Sequence, residues 1–286
     1  ISGGLVGSEM CIRDRKKWAK NTQRNHIIVE HNDDSGSVDE QAYIKKLTSD
    51  VRVVSIVHTS PVTGMTVDLE KITKEVRNVT PDCIIIVDGI QHSSHGAIDV
   101  QKYDIDGYVV SPYKMFSRHG YGVAWASERL CTLNKEQLAD GPFQNWELGT
   151  RDAGSYATFS DVVDYLDWLG SNFTESENTR ERLEASSIAI KSHEQELVDL
   201  VINGAEDIVG LRNNKKIRII GNSASTSREG VVSFFHKNKP SRIIVEELRQ
   251  RKIRVHIRKD DHYCGNILRP LNQKDCIRFS ICHYNS

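Results

Sequence analysis

The most constraining feature of the sequence is a pair of short apolar runs, each followed by a side chain capable of chemistry. Residues 84–87 are wholly apolar and lead into Asp88, and residues 107–110 lead into Ser111 and, three residues later, Lys114. Such runs are typical of strands buried on both faces of a parallel sheet. Ligand sites in open α/β sheets lie at the carboxyl ends of strands. We therefore expect Asp88 and Lys114 to meet at one edge of a sheet.

An acid and a lysine at such an edge indicate a particular kind of cofactor. A buried carboxylate that stays ionised needs a cationic partner, and a buried lysine has a depressed pKa that frees its amine as a nucleophile. Pyridoxal phosphate uses both, because it needs a lysine for its Schiff base and an acid that keeps its pyridine nitrogen protonated. Asp88 and Lys114 are therefore candidates for a pyridoxal-phosphate site.

The flanking sequence predicts a mixed α/β fold with a mainly parallel sheet and flanking helices. Strand-like runs at 26–30 and 51–57 and a helical pattern at 67–76 precede the run at 84–87, which implies right-handed crossovers between parallel strands. Residues 122–127 are predicted to return antiparallel to this sheet. From residue 217 the pattern changes to half-buried strands around one helix, which predicts a small C-terminal α+β domain. Its expected strands are 217–220, 231–235, 253–257 and 277–281, and its helix 241–251.

Three regions follow from these patterns. Residues 16–172 form an incomplete large domain, and residues 173–286 form the small domain, with the boundary at the start of a long charged helix predicted at 174–202. Residues 1–15 have no core pattern and no apolar segment of a signal peptide. They resemble translated adaptor sequence, so we expect a non-native tail and a chain that is a fragment of a longer protein.

Composition excludes several classes of protein. Of 286 residues, 38% are hydrophobic and 27% charged, with a net charge of −1, so no electrostatic feature favours nucleic acid or an acidic membrane as partner. No apolar run has the length of a transmembrane helix. Six cysteines without CxxC spacing predict free thiols in the cytoplasm. His92 and His95 are three residues apart in a loop, for which we predict packing and no metal.

Three motifs in order carry a family resemblance. Asp88-Gly-Ile-Gln91, Ser111-Pro-Tyr-Lys114 and Gly120-Tyr-Gly122 resemble the D-x-x-Q, S-x-H-K and glycine-turn pattern of the class V aminotransferase family, which comprises fold-type I pyridoxal-phosphate enzymes. That family includes cysteine desulfurases, selenocysteine lyases and isopenicillin N epimerase-like proteins. The resemblance is to the cysteine desulfurase-like branch and covers the chain from about residue 16 to its last residue.

The resemblance implies roles for the cofactor-binding residues. Lys114 would be the Schiff-base lysine and proton shuttle, Asp88 the partner of the pyridinium nitrogen, and Gln91 a hydrogen-bond partner of the ring O3′. Ser111 and Tyr113 would bind the phosphate. Tyr113 stands where most of the family has histidine, and a phenol can donate one hydrogen bond but brings no positive charge.

The resemblance also implies a second subunit and an amino-acid substrate. Gly149 and Thr150 match a family pair whose threonine reaches the phosphate of the neighbouring subunit, which implies a homodimer. Arg278 matches the arginine that grips the substrate carboxylate, a task that suits the guanidinium fork. A departure occurs at Pro61, where the family often has asparagine after Ser60.

Cys264 is the candidate sulfur acceptor. In desulfurases a loop cysteine in an R-x-G-H-x-C pattern attacks the sulfur of the substrate. This chain has Arg258-Lys-Asp-Asp-His-Tyr-Cys264, with no glycine and one extra residue. The adjacent Asp260 and Asp261 raise the pKa of a thiol, which opposes activation. A structural loop cysteine is therefore the alternative.

The sequence thus predicts a pyridoxal-phosphate enzyme that acts on an amino acid, with cleavage of the C–S bond of cysteine or selenocysteine as the expected reaction. Transamination or epimerisation with the same cofactor is one alternative. An inactive truncated fragment that binds no cofactor is another.

Overall fold

The computed structural model describes residues 2–4, 9–32, 38, 40–142, 145–146, 148–150, 152–222 and 228–286, with side chains from residue 15 onwards. Within these ranges the chain forms a larger sheet with flanking helices, a smaller antiparallel sheet with one main helix, and two long helices between them. The mixed α/β architecture with a mainly parallel sheet confirms the predicted fold class.

The larger sheet has six strands in the order β2-β1-β3-β4-β5-β6. All neighbours are parallel except β6, which runs antiparallel to β5 as predicted. The strands are β1 (Ser2–Gly4), β2 (Ile28–Val29), β3 (Val53–Val57), β4 (Ile84–Asp88), β5 (Gly107–Val110) and β6 (Val123–Ala126).

Burial of β3 and β4 explains why their sequences are so apolar. In β3 every residue after Val53 is buried, whereas β4 alternates between inaccessible Ile85 and Val87 and half-buried Ile84 and Ile86. The residues of β3 are thus buried on both faces of the sheet. For β4 we predicted the same, but one of its faces is only half-buried. The more buried face of β4 anchors the main core of the larger sheet.

Four of the helices beside and after this sheet, α3 to α6, begin at a residue whose side chain caps the first turn. In α3 the side chain of Asp68 accepts a hydrogen bond from the Lys71 amide at 3.1 Å and satisfies an otherwise free donor of the first turn. None of the helices in the described ranges has both the length and the apolar character needed to cross a bilayer. The helices are α1 (Glu9–Asn21), α2 (Glu40–Ile44), α3 (Leu69–Val79), α4 (Glu128–Cys131), α5 (Ala153–Gly170) and α6 (Thr179–Asn203).

The first residues of the chain take part in the sheet, which the sequence did not predict. The backbone of β1 pairs with β2 on one side and β3 on the other. Residues 1 and 5–8 lie outside the described residues. The assignment of residues 1–15 as a non-native tail, like the boundary at residue 172, stays a prediction.

The smaller sheet has four antiparallel strands in the order β11-β12-β10-β9. A separate two-stranded hairpin joins β7 and β8, and α7 packs beside the sheet. The predicted small α+β domain is present in these residues. The elements are β7 (Gly204–Ala205), β8 (Ile208–Val209), β9 (Ile217–Ile220), β10 (Val231–His236), α7 (Ser241–Gln250), β11 (His256–Lys259), α8 (Gly265–Leu268) and β12 (Asp275–Ser280).

The predicted strand at 253–257 begins three residues too early. The Ile253 amide donates to the Leu248 carbonyl at 2.9 Å and so closes the end of α7, with Lys252 in a left-handed conformation at φ 63°. This amide is therefore unavailable to the sheet, and β11 begins only at His256.

The long helix α6 contributes to the core in spite of its many charged residues. Its buried positions recur every four residues along one face: Ser186, Ile190, Glu194, Val198 and Ile202. The last two pack against Val232 of β10. A glutamate in the middle of this stripe is therefore carried into the interior of the protein.

The loop after β3 is fastened to the smaller sheet by a buried arginine. The Arg228 guanidinium is 2% exposed and donates to the carbonyls of Thr63, Ile220 and Asn222. Gly64 in this loop has φ 76°, and a Cβ there would lie 2.3 Å from the Val231 carbonyl oxygen, so the position requires glycine. The two sheets are held together at this point.

A buried carboxylate fastens the opposite edge of the larger sheet. Asp106, 1% exposed, accepts hydrogen bonds from Arg77 at 2.9 Å, Arg129 at 2.8 Å, the Ile85 amide at 2.8 Å and the Ser127 hydroxyl at 3.1 Å. Burial alone would raise the pKa of this carboxyl, but these hydrogen bonds and charges lower it below its usual value. The ionised form thus stabilises the fold above the pKa of an unfolded aspartate, and this stability is lost as the pH falls through the lowered pKa.

Replacement of Asp106 by asparagine should destabilise the protein strongly. Arg77, whose side chain is 12% exposed, would keep its charge without its buried partner, which typically costs about 3–5 kcal/mol. Urea unfolding followed by circular dichroism measures the change. Asp104→Asn is the matched control, since Asp104 also contacts Arg77 at 3.3 Å but is 69% exposed, and should cost less than about 1 kcal/mol. Equal losses in both variants would contradict the assigned role of Asp106.

Candidate functional site

Three parallel strands deliver polar side chains to one edge of the larger sheet. His58 follows β3, Asp88 ends β4, and a 3-10 turn at Pro112–Met115 follows β5 and carries Lys114. Pro112 at the start of the turn has its φ fixed near the required value, and the Lys114 amide donates to the Ser111 carbonyl at 3.0 Å. The expectation that Asp88 and Lys114 leave neighbouring strands at the same edge is met by the register of β4 and β5.

The Lys114 side chain lies in a poorly solvated, highly charged environment. Its Nζ donates to Gln91 Oε1 at 3.0 Å. Burial lowers the pKa of Lys114 to about 8, the charge of Asp88 opposes this shift, and the charges of Arg278 and Arg258 add to it. Roughly one tenth of the amine is therefore unprotonated at pH 7, far more than for an ordinary lysine, and a nucleophilic lysine reacts in this unprotonated form.

Asp88 is a half-buried carboxylate whose charge is only partly compensated. Burial raises the pKa of Asp88, while a hydrogen bond from the Ile90 amide at 3.1 Å and the charges of Arg15 and Lys114 lower it. Within the described ranges Asp88 forms no ion pair closer than 4 Å. The site thus offers a carboxylate to a cationic partner such as a protonated ring nitrogen.

The Gln91 amide is engaged on both sides. Its oxygen accepts from Lys114, and its nitrogen lies 2.9 Å from His95 Nε2. The role predicted for Gln91, a hydrogen bond to the ring O3′ of a cofactor, stays a prediction. The amide lies beside the Lys114 amine, where it can orient that amine.

Behind Gln91 lie two buried histidine–glutamate pairs. His92 Nδ1 lies 2.5 Å from Glu229 Oε1, and His95 Nδ1 lies 2.7 Å from Glu194 Oε2. The ring of His58 stacks on that of His92 at 3.7 Å. No group of three or more metal-ligating side chains among the described residues has a geometry that would hold an ion. Hydrogen bonding to carboxylates accounts for both histidines of the loop.

The carboxylates set the charge state of this cluster. Burial would raise the pKa of Glu229, but the hydrogen bond and charge of His92 lower it overall, so Glu229 is ionised. Burial lowers the pKa of His58 well below its ordinary value, with the charge of His92 adding to the effect, so His58 is neutral. For Glu194 burial dominates and raises the pKa, although His95 opposes the shift.

The predicted phosphate-binding residues lie beside the Lys114 turn. Ser111 is half-buried, and Tyr113 is 40% exposed and stacks on His119 at 4.3 Å. The nearby Arg118 pairs with Asp152, the N-cap of α5. Gly149 and Thr150 are exposed in the loop before α5. Contacts of any of these side chains with a phosphate stay predictions.

Arg278 of β12 reaches the same edge from the smaller sheet. Its Nη1 donates to the Pro61 carbonyl at 2.8 Å, and its Nε is buried without a hydrogen-bond partner among the described residues. Burial lowers the pKa of Arg278 to about 10, with the charge of Arg258 adding to the shift, so the side chain still carries its charge at neutral pH. One buried donor is thus available to an anionic group.

Cys264 lies inside the smaller domain. It is 1% exposed and belongs to a hydrophobic cluster that also contains Cys276 and Ile267. Arg258 Nε donates to its sulfur at 3.2 Å. Burial raises the pKa of the Cys264 thiol despite this arginine, which opposes formation of the thiolate that a nucleophile needs. The role of Cys264 as sulfur acceptor stays a prediction, and in this conformation its burial does not support it.

Sequence reasoning missed three members of the site, namely His58, Glu194 and Glu229, and named Arg258 only as the first residue of the pattern that ends at Cys264. The sequence places Glu194 four residues from both Ile190 and Val198, and therefore on their helical face, but this spacing does not identify its partner. His58 directly follows a strand-like run, as Asp88 does. No local pattern distinguishes Glu229 from exposed charged residues.

The sequence of this chain is similar to those of known pyridoxal-phosphate-family proteins. The family model described as "Aminotransferase class-V" matches residues 16–286. A probable cysteine desulfurase from Treponema pallidum is 23% identical over 89% of this chain and 60% of its own length. An aminotransferase-like protein from Gibberella zeae is 26% identical over 84% of this chain and 57% of its own length. The chain thus spans little more than half of these relatives.

Solved structures give the same fold. The apo structure of a cysteine desulfurase from Thermococcus onnurineus superposes with a TM-score of 0.78 at 19% identity and covers 100% of this chain and 68% of its own. At this identity the likeness concerns the fold alone. Since the family model matches nearly the whole length, the chain belongs to the aminotransferase class V family, whose members depend on pyridoxal phosphate.

Proposed function

We propose that this chain forms much of the active site of a pyridoxal-phosphate enzyme that acts on an amino acid, by cysteine desulfurase-like C–S bond cleavage. The observation that carries this proposal is the Lys114 amine. It is largely desolvated, lies 3.0 Å from Gln91 Oε1, and is near enough to the half-buried Asp88 carboxylate for that charge to raise its pKa. Homologous cysteine desulfurases among its relatives support the choice of reaction.

The residues present fit the cofactor. Lys114 would hold it covalently, Asp88 has an incompletely compensated charge suited to its ring nitrogen, and Gln91 lies beside both. When bound, pyridoxal phosphate supplies an electron sink for the bonds at the substrate α-carbon. Lys114, as a weakly basic amine, can take and return a proton at that carbon. Ser111 and Tyr113 are proposed to contact the phosphate.

An amino-acid substrate is supported by Arg278. Its buried Nε has no partner among the described residues, and a substrate carboxylate would satisfy it. We further propose a cytoplasmic homodimer, in which Gly149 and Thr150 of one subunit approach the phosphate of the other. The exposure of Thr150 is compatible with such a contact.

The burial of Cys264 favours a second candidate function. A transaminase or epimerase uses the same lysine and carboxylate but needs no cysteine nucleophile. The raised pKa of the Cys264 thiol and its 1% exposure fit this alternative better than they fit sulfur transfer. An experiment on the thiol therefore distinguishes the two reactions.

Substitution of Lys114 by alanine should abolish covalent binding of the cofactor. Wild-type protein incubated with pyridoxal phosphate should show the absorption band of a Schiff base, and borohydride should fix the label on the peptide that contains Lys114. Lys102→Ala, at an exposed position, is the control and should be labelled like the wild type. Labelling that survives in Lys114→Ala would refute the assignment.

Covalent attachment should depend on pH with a midpoint near 8, since the pKa of Lys114 is lowered to about 8 and only the unprotonated amine reacts. The initial rate of borohydride-fixed labelling should rise with pH and level off above this midpoint. Asp88→Asn removes a charge that raises the pKa and should lower the midpoint, whereas Arg278→Gln should raise it, each by up to about one unit. Shifts in the same direction would contradict the electrostatic account.

Cys264→Ala separates the two candidate reactions. If Cys264 accepts sulfur, sulfide release from cysteine in the presence of dithiothreitol should fall to background in this variant. Cys276→Ala is the matched control, because Cys276 is buried in the same cluster and loses the same packing. Sulfide release that persists in both variants would exclude a nucleophilic role for Cys264.

A further inference from the structure

Four polar groups from three parts of the chain form a continuous row that ends at the Lys114 amine. Glu194 of α6 lies 2.7 Å from His95 Nδ1, His95 Nε2 lies 2.9 Å from the Gln91 amide nitrogen, and Gln91 Oε1 lies 3.0 Å from Lys114 Nζ. Glu194 and His95 are each 3% exposed or less. Water therefore has little access to the inner half of this row.

The direction of each hydrogen bond follows from the chemistry of its ends. An ammonium group only donates, so the Gln91 oxygen must face Lys114 and the amide NH2 must face His95. His95 Nε2 must then accept, which places the ring hydrogen on Nδ1, where it donates to Glu194. Each of the three hydrogen bonds in the row then has one donor and one acceptor, while the second oxygen of Glu194, Oε1, has no partner among the described residues.

We propose that Glu194 and His95 are positioning residues that orient the Gln91 amide toward Lys114. Through this amide, protonation of His95 Nε2 and protonation of the Lys114 amine oppose each other. This linkage between the protonation of His95 and that of Lys114 involves only side chains of the protein. It can be tested without cofactor or turnover, so its failure and that of the proposed function are distinguishable.

This opposition has a simple stereochemical cause. A second proton on His95 would sit on Nε2 and face the Gln91 NH2 group, so that two donors would oppose each other. The amide would have to turn over and present its NH2 group to Lys114. That arrangement is satisfied only when Lys114 is a neutral amine, which accepts. Repulsion between the two cations acts in the same direction.

The charged groups around the row make His95 able to take this second proton. Burial lowers the pKa of His95, but the hydrogen bond to Glu194 and the charges of Glu229 and Glu194 raise it overall above its ordinary value, with Lys114 opposing. The pKa of His95 is thus shifted upward, whereas the pKa of Lys114 is lowered to about 8. The remaining neighbours are Asp88 at the end of β4, Arg258 of β11, Arg278 of β12 and His283 after β12.

His92 provides a matched reference within the same turn. It too pairs with a buried glutamate, but its Nε2 donates to the Ala97 carbonyl at 3.1 Å and makes no hydrogen bond to Gln91. The row therefore passes through His95 and not through His92.

The first test is an NMR titration of the histidine rings in the full chain without cofactor, with ¹⁵N-labelled histidine. Lys114→Met should raise the pKa of His95 by about one unit, because groups coupled this closely no longer titrate independently. In the Gln91→Met background the same change at Lys114 should shift the pKa of His95 by less than half as much. An equal shift in both backgrounds, or none in either, would overturn the linkage.

A second test reads the other end of the row in Glu194→Gln, which keeps the shape of the side chain. Loss of the carboxylate disfavours the second proton on His95, so the apparent pKa of Lys114 should rise, measured from competitive labelling by acetic anhydride with mapped peptides. Simple removal of a negative charge would lower that pKa, so a fall or no change overturns the proposal. His92→Gln is the control, with its folding checked by circular dichroism. It should change the apparent pKa of Lys114 less than Glu194→Gln does.

Discussion

The arrangement of the site depends on one constraint: each ionisable side chain buried at the carboxyl ends of the larger sheet's strands needs a hydrogen-bond or charge partner. An ionised group without a partner costs several kcal/mol in a protein interior, on the order of the whole stability of a domain. Here Lys114 meets Gln91, and His92 and His95 each meet a glutamate. Asp88 and the Nε of Arg278 remain incompletely satisfied, and they are the groups best suited to hold a charged ligand.

The two sheets contribute to this edge jointly. Arg228 fastens the loop after β3 to the smaller sheet, and Ser233 of β10 donates to the Val62 carbonyl in the same loop. This attachment brings Glu229 beside His92 and Arg278 beside Lys114. The electrostatics of the lysine therefore depend on residues more than one hundred positions away in sequence.

The environments of Lys114 and Cys264 favour opposite protonation states of the two side chains. The environment of Lys114 favours a nucleophilic amine, whereas the environment of Cys264 favours a protonated thiol within an apolar cluster. Cofactor chemistry at the α-carbon is thus supported by the geometry independently of any role for the cysteine. The choice between C–S cleavage and another amino-acid reaction turns on the conformation around Cys264.

The sequence by itself determined the parallel order of β3, β4 and β5, the antiparallel return of β6 and the placement of Asp88 and Lys114, because apolar runs and strand-end residues are local signals. It could not reveal that Glu194, in a charge-rich helix, would be buried against His95. Nor could it show that Ile253 closes α7 or that Cys264 is packed in a core. Only the tertiary structure decided these points, since burial and the pKa shifts it causes depend on which distant segments pack together.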